Sequence, residues 1–192
     1  MLKQQMEQYI AERVQDNKIG LFDIEKEYAE KHQLLQEVIA TEKAFHAQVF
    51  ERCNKETEDL ISTETAAFLN EPISYLKKQN NEFVYVESNI FELVRIDAIA
   101  LEFDDVFETY TALFGLKLQK KFGDAIKTYL DTHLHGDNAK HSVMFSAEDG
   151  LWDVNFALGY VEGFNETQSF EEIYNMIYRF VFKLVEAIEE AQ

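Results

Sequence analysis

Apolar residues return every fourth position at the start of the chain, at Leu2, Met6, Ile10 and Val14. A period near 3.6 puts them on one face of a short amphipathic helix. Asn17-Lys18-Ile19-Gly20 ends it, with Gly20 suited to a left-handed cap. Asp23 then serves as N-cap for a second helix. Its stripe runs Ile24, Tyr28, Leu35, Val38, Ile39, Phe45, Val49 and Cys53 and reaches toward Leu60. So long a helix predicts a bundle, a coiled pair or a dimer.

Further along, Asn70-Glu71-Pro72 reads as an N-cap with proline in the first turn, opening a short helix over 72–78. Phe83-Val84-Tyr85-Val86 is aromatic and β-branched, hence a strand. After a turn at Ser88-Asn89, residues 90–103 hold one or two more strands, although Arg95 and Asp97 share a parity with Leu93 and Ile99. Asp104 or Asp105 caps a helix with the stripe Val106, Phe107, Tyr110, Leu113, Phe114 and Leu118. Gly123-Asp124 interrupts it, and Phe122, Ile126, Leu130 and Leu134 carry a helix to a loop at 135–138.

Residues 142–147 and 151–158 flank Asp149-Gly150, a favoured two-residue hairpin turn. Trp152, Val154, Phe156 and Leu158 share one face of the second strand, with Asp153 and Asn155 on the other. Ser169-Phe170-Glu171-Glu172 is a capping box that opens a final helix to about residue 190. No repeat or low-complexity stretch interrupts the chain, and 56–65 is the best candidate boundary.

The final helix is apolar over roughly half its circumference or more, where a surface helix needs only about 100°. Glu172, Asn175, Arg179, Lys183, Glu186 and Glu190 form a narrow polar arc opposite Ile173, Tyr174, Ile177, Phe180, Val181, Leu184, Val185 and Ile188. Two arrangements satisfy that pattern. The helix is central, with a sheet on one side and a helix on the other. Alternatively, part of the arc, at Phe170, Tyr174, Met176, Tyr178 and Phe182, is a dimer or partner interface, since interfaces favour aromatic residues and Met.

Composition narrows the classes. The chain has 192 residues, is 46% hydrophobic and 14% aromatic, and has only 7 Gly and 1 Pro, which favours a folded chain of long elements. A single domain over 1–192 is expected, with 1–60 a helical N-terminal extension or subdomain and 70–192 an α+β core. The net charge is -18, and residues 141–192 alone hold 2 basic against 10 acidic side chains. No segment is net positive, so nucleic acid and anionic membrane surfaces are not expected partners. Cys53 is the single cysteine and forms no intrachain disulfide. The N-terminus lacks an apolar h-region and no apolar run approaches 18 residues, so a cytoplasmic location is expected.

Candidate chemistry is sparse. His133, His135 and His141 sit at a helix end and the following loop, where three imidazoles could bind a divalent metal with Asp131 and Asp137 beside them. Solvated histidines at a helix C-terminus explain them equally simply. Glu42 and His46 are four apart on the expected second helix, and they read as a surface pair rather than half of a di-iron site. Cys53, seven residues from His46, reads as a buried inert thiol. Glu102, Asp104, Asp105 and Glu108 could attract Mg²⁺, but helix capping accounts for most of them. Lys117, Lys120 and Lys121 read as a solvated helix face. Hydrolase, phosphate-loop and dinucleotide motifs are missing, and no cofactor is expected beyond the metal alternative.

The order helices, strands, helices, hairpin, long helix predicts an α+β fold: N-terminal helices, an antiparallel sheet of two hairpin-like units and a long C-terminal helix packed on it. From about residue 70, that order and the acidity resemble the small acidic secretion chaperones. The resemblance covers element order and charge alone, and residues 1–60 have no counterpart in it. It implies dimerisation and binding of extended segments of other proteins. The leading expectation is therefore a non-enzymatic interaction, chaperone-like or regulatory module acting as a homodimer through the last helix. The alternatives are an enzyme or a small-molecule or metal binder with a pocket between sheet and helices, and a regulatory domain for a basic partner.

Overall fold

The computed structural model describes residues 1–136 and 140–191. Its centre is a seven-stranded antiparallel sheet with a C-terminal helix on one face, so the α+β class holds. In chain order the elements are α1 (Leu2–Arg13), β1 (Lys18–Leu21), α2 (Asp23–Lys31), β2 (Ile39–Glu42), β3 (Val49–Asn54), β4 (Leu60–Thr63), α3 (Tyr75–Lys78), β5 (Glu82–Glu87), β6 (Ile96–Asp104), β7 (Thr109–Leu116), α4 (Gly123–His133), β8 (His141–Ser146), β9 (Leu151–Ala157) and α5 (Phe170–Glu190). The main sheet runs β4-β3-β5-β6-β7-β9-β8, and β1 and β2 form a separate parallel pair.

The most local expectations hold. Leu2, Met6 and Ile10 are the buried face of α1. A hairpin does join β8 to β9 around Asp149-Gly150, but Ser146 pairs with Leu151, so the connection is a four-residue loop over 147–150 rather than the expected two-residue turn, with Gly150 at φ 70°. Ser169 caps α5: its Oγ accepts from the Glu172 N–H at 3.2 Å, and the Glu172 carboxylate accepts from the Ser169 N–H at 2.8 Å.

Of two helices expected from the pattern, one breaks off early and the other is a strand. The second helix stops at Lys31, because Gln33 and Gln36 turn the chain back with φ values of 57° and 44°. The rest of its stripe is spread over β2, a loop and β3, so apolar residues spaced three or four apart here meet the core from separate segments. β3 pairs with β5, so residues 49–54 belong to the main sheet. Gly20 is not a helix cap but lies within β1, and the left-handed residues are Asp16 and Asn17. Residues 109–116 form β7, not a helix. Tyr110, Ala112, Phe114 and Leu116 alternate inward with period two, and the helical spacing of Tyr110, Leu113 and Phe114 is incidental.

α5 is buried on two sides. Toward the sheet, the Tyr174 hydroxyl donates to the Val84 carbonyl at 3.5 Å, Phe180 meets Phe156, and Phe170 meets Phe50. On the other side, Phe22 and Tyr28 pack on Tyr178 and Phe182, and Phe45 stacks on Tyr174. Buried apolar residues from Leu2 to Ile188 form one continuous core. A buried carboxylate anchors the upper layer. Glu25 is 0% exposed and accepts from the Tyr178 hydroxyl at 2.6 Å, Lys43 at 3.0 Å and the Phe22 N–H at 3.0 Å. With that many donors the buried charge is paired and hydrogen-bonded, as burial requires.

The end of α5 holds the N-terminus. Glu189 accepts from the Met1 ammonium at 2.7 Å and from the Tyr28 hydroxyl at 2.5 Å. Burial alone would raise the Glu189 carboxyl, but these donors and the Lys3 N–H hold it below the usual range. Glu186 behaves alike: burial opposes its ionisation, and hydrogen bonds from Lys183 and Lys31 outweigh it.

Gly123, at the start of α4, lies against the Trp152 ring, where an added Cβ would sit 2.3 Å from the ring edge. Gly123→Ala should therefore cost about 1–3 kcal/mol of unfolding free energy through overpacking, read as a lower urea midpoint with the m-value unchanged. Because the folded-state pKa values of Glu186 and Glu189 are depressed, the stability they supply is present above the ordinary glutamate pKa, near 4.5. It is lost as pH falls through the folded values. Thermal melts from pH 7 to 3 should show a falling Tm, and Glu186→Gln with Glu189→Gln should flatten that fall.

Candidate functional site

With α5 on one face, no helix lies over the other face of the main sheet among the described residues. Strand alternation decides what it shows. Val84, Val86, Ile99, Leu101, Tyr110, Ala112, Trp152, Val154 and Phe156 point to α5 and are buried. Their neighbours Phe83, Tyr85, Ala100, Glu102, Thr111, Leu113 and Asn155 point the opposite way and are half-buried. The register sets them in rows across the strands. Phe83 stands beside Glu102, Thr111 and Ala157, and Tyr85 beside Ala100, Leu113, Asn155 and Ser142. Apolar side chains therefore occupy the middle of a surface that an antiparallel sheet usually leaves polar when it faces water.

Carboxylates frame this apolar middle. Glu51, Glu87, Glu102, Asp104 and Asp153 share its face by register, against Lys55 and Lys140 at one end. Lys55 donates to the Phe103 carbonyl at 2.7 Å and lies 3.9 Å from the Glu102 carboxylate. Burial first, and then its hydrogen bond to Glu87, pushes the Tyr85 phenol up to about 12, so it remains a neutral donor.

At that end a groove of about 590 Å³ opens between the strands and the β6–β7 turn, lined by Glu102, Phe107, Thr111, Leu113, Lys140 and Asn155. The turn is built by Asp104, whose Oδ1 accepts from the Val106 and Phe107 N–H groups at 2.9 and 3.0 Å, with Glu108 closing it at φ 49°. This is the acidic cluster expected to cap a helix. It caps a hairpin turn instead, and Asp105 accepts from the Asn80 amide at 2.9 Å. The turn lifts Val106 and Phe107 outward, 84% and 55% exposed. The Lys140 ammonium sits 3.2 Å from the Phe107 ring centroid, a cation–π contact that fixes the groove wall.

The residues expected to form an interface lie elsewhere. Phe170, Tyr174, Tyr178 and Phe182 are buried within one chain, and Met176 is half-buried against the core. The wide arc of α5 is core, and a dimer through those four aromatics cannot form without unfolding. The histidines do not converge either. His133 stacks on Tyr129 and bonds its carbonyl at 2.9 Å, His141 meets Asp131 at 2.8 Å, and the His135 N–H donates to the Tyr160 carbonyl. Asp137 lies outside the described residues. Among the described residues, no three His, Cys, Asp or Glu side chains group to hold a metal ion.

The remaining candidates separate in the same way. Glu42 ends β2 and His46 lies in a loop, so they share no helix; the Ser88 hydroxyl donates to the His46 carbonyl at 2.6 Å. Cys53 is buried in β3, where burial first and Glu51 second push its thiol up, away from a reactive thiolate. Lys117 pairs with Asp97 at 2.6 Å, while Lys120 and Lys121 lie over Phe145 and Phe122. Among the described residues, no helix is long and apolar enough to cross a membrane.

The chain matches no known protein family, no curated protein and no solved structure. Asp104→Ala should loosen the turn that carries Phe107. It should cost about 0.5–1.5 kcal/mol in chemical denaturation and speed amide exchange at Val106 and Phe107.

Proposed function

We propose that this chain is a non-enzymatic protein-interaction module that holds an extended, basic segment of a partner protein on the open face of its sheet. The observation that carries this reading is the composition of that face: Phe83, Tyr85, Leu113 and Phe107 within a frame of Glu51, Glu87, Glu102, Asp104 and Asp153. Apolar anchors in the middle of an interface supply affinity, and the charged rim supplies steering and choice of partner. Seven strands at about 4.8 Å spacing give a face roughly 30 Å wide. That is enough for a partner contact of about 800 Å² per side. The net charge of -18 attracts a basic partner over long range.

A second reading has its own support. The groove beside Phe107 falls within the roughly 300–1,000 Å³ of small-molecule sites and brings Lys140, Thr111 and Asn155 together. It would make the protein a small-ligand binder at the same place.

Calorimetric titration with an extended peptide of alternating Lys and Phe, beside one of alternating Glu and Phe, separates the possibilities. The basic peptide should bind and weaken with added salt, while the acidic peptide should not bind. Leu113→Lys should weaken binding at least about tenfold, or 1.4 kcal/mol, with an unchanged thermal melt. Equal binding of both peptides, or indifference to Leu113→Lys, would sink the proposal. A small molecule retained in native mass spectrometry and lost with Phe107→Ala would favour the second reading.

A further inference from the structure

The two edges of the main sheet are not alike. A free edge offers unpaired N–H and C=O groups to any strand that meets it, and folded proteins guard such edges with charge, proline, bulges or short length. β4 is guarded: it has four residues, its pairing with β3 is broken by a register shift at Arg52/Cys53, and Asp59 and Glu64 flank it. β8 is not. It runs six residues, His141-Ser142-Val143-Met144-Phe145-Ser146, pairs with β9 in unbroken register, and contains no proline, lysine or carboxylate.

The hydrogen-bond phase shows which groups are free. The Ala157 N–H donates to the Lys140 carbonyl at 2.9 Å, so Lys140 and every second residue after it face β9. The backbone groups of His141, Val143 and Phe145 then point away from the sheet, and among the described residues none of them meets a partner outside the β8–β9 ladder. Met144, on the open face between them, is 64% exposed.

We infer that β8 is a self-association edge, and that a second copy of this chain pairs with it antiparallel across a twofold axis at Met144. The charges at the strand's ends select this occupant. Lys140 stands at its start, and Glu148 and Asp149 follow its end. Antiparallel self-pairing lays the basic end of each copy along the acidic end of the other. With Met144 opposite Met144, Lys140 comes opposite Glu148, and the outward-facing Val143 and Phe145 form the hydrogen-bonded pairs. Met144 then occupies a non-hydrogen-bonded site, where cross-strand side chains approach most closely. The pairing joins the two sheets into one and leaves both open faces on the same side.

This inference stands independently of the proposed partner-binding role, because its test uses the protein alone. Sedimentation equilibrium should show a concentration-dependent dimer. Met144→Lys would set two ammonium groups against each other at the axis and should raise the dimer dissociation constant at least about tenfold. Circular dichroism should stay unchanged, and so should Tm at concentrations low enough that both chains are monomeric, since the side chain is exposed. Amide exchange at His141, Val143 and Phe145 should slow as protein concentration rises, and Met144→Cys should form a disulfide dimer under mild oxidation. A wild-type chain that stays monomeric up to its solubility limit would overturn the inference. So would a dimer that Met144→Lys leaves intact, since association would then use another surface.

Discussion

Everything in this molecule depends on covering α5 from two directions. A helix that is apolar over half its circumference cannot be satisfied by a sheet alone, because a sheet shields only the side it touches. The chain answers with a second layer made from residues at its other end. Phe22, Tyr28 and Phe45 close over Tyr174, Tyr178 and Phe182, and the Met1 ammonium reaches Glu189 at the far end of the helix. Each buried aromatic on this seam is worth about 1.5–3 kcal/mol relative to exposure. The seam also explains the buried Glu25, which ties α2, the β2 end and α5 together through Phe22, Lys43 and Tyr178. Removing one partner would leave a charge without its donors in the core, where breaking such a pair is far more costly than never having built it.

Covering α5 twice also explains why the sheet is left open on its other side. The first forty-five residues pack on α5, and among the described residues no helix is left for the opposite face. That face keeps half-buried Phe83, Tyr85 and Leu113 in the presence of water, which is unfavourable unless something else covers them in use. The Phe107 wall and its Lys140 contact add relief at one end, so the face is a shallow trough rather than a plane.

The parts of this architecture that were legible in the sequence are those whose signals are local. The hairpin around Asp149-Gly150, the Ser169 capping box and the four-residue rhythm from Leu2 to Ile10 each sit within a dozen residues, and each element is present, although the hairpin loop has four residues rather than two. The errors fall where apolar residues three or four apart fit two periods at once. Residues 106–118 carry both a helical spacing and the alternation Tyr110, Ala112, Phe114, Leu116, and pairing with β6 and β9 decides for the strand. The stripe from Leu35 to Cys53 was legible as apolar but not as broken, because the breaks are left-handed glutamines, a residue type with no turn preference. That misreading carried into the site. With residues 32–53 placed in a long helix, the second side of α5 reads either as packed on another helix or as an interface, and the cover that includes the Phe45 loop is not foreseen. The acidic cluster near Asp104 was visible for the right reason, side-chain acceptors beside unpaired N–H groups, but it serves a turn that presents Phe107.

The two edges of the sheet follow from the same distribution of material. β4 and β3 come from the segment that also builds the cover over α5, and that end is short, bulged and acidic. β8 comes late in the chain, between α4 and the turn that leads back to α5, and only β9 lies beside it in the sheet. α4 packs on the covered face near β8 and holds His141 through Asp131, which fixes the strand's direction without occupying its outer groups. An ordered strand with unspent backbone groups loses little conformational entropy when it pairs, because its residues are already extended. A disordered segment would pay that entropy on binding. The edge is therefore preorganised for a partner that is equally rigid, and another copy of the same strand meets that condition while also supplying the opposite charge at each end.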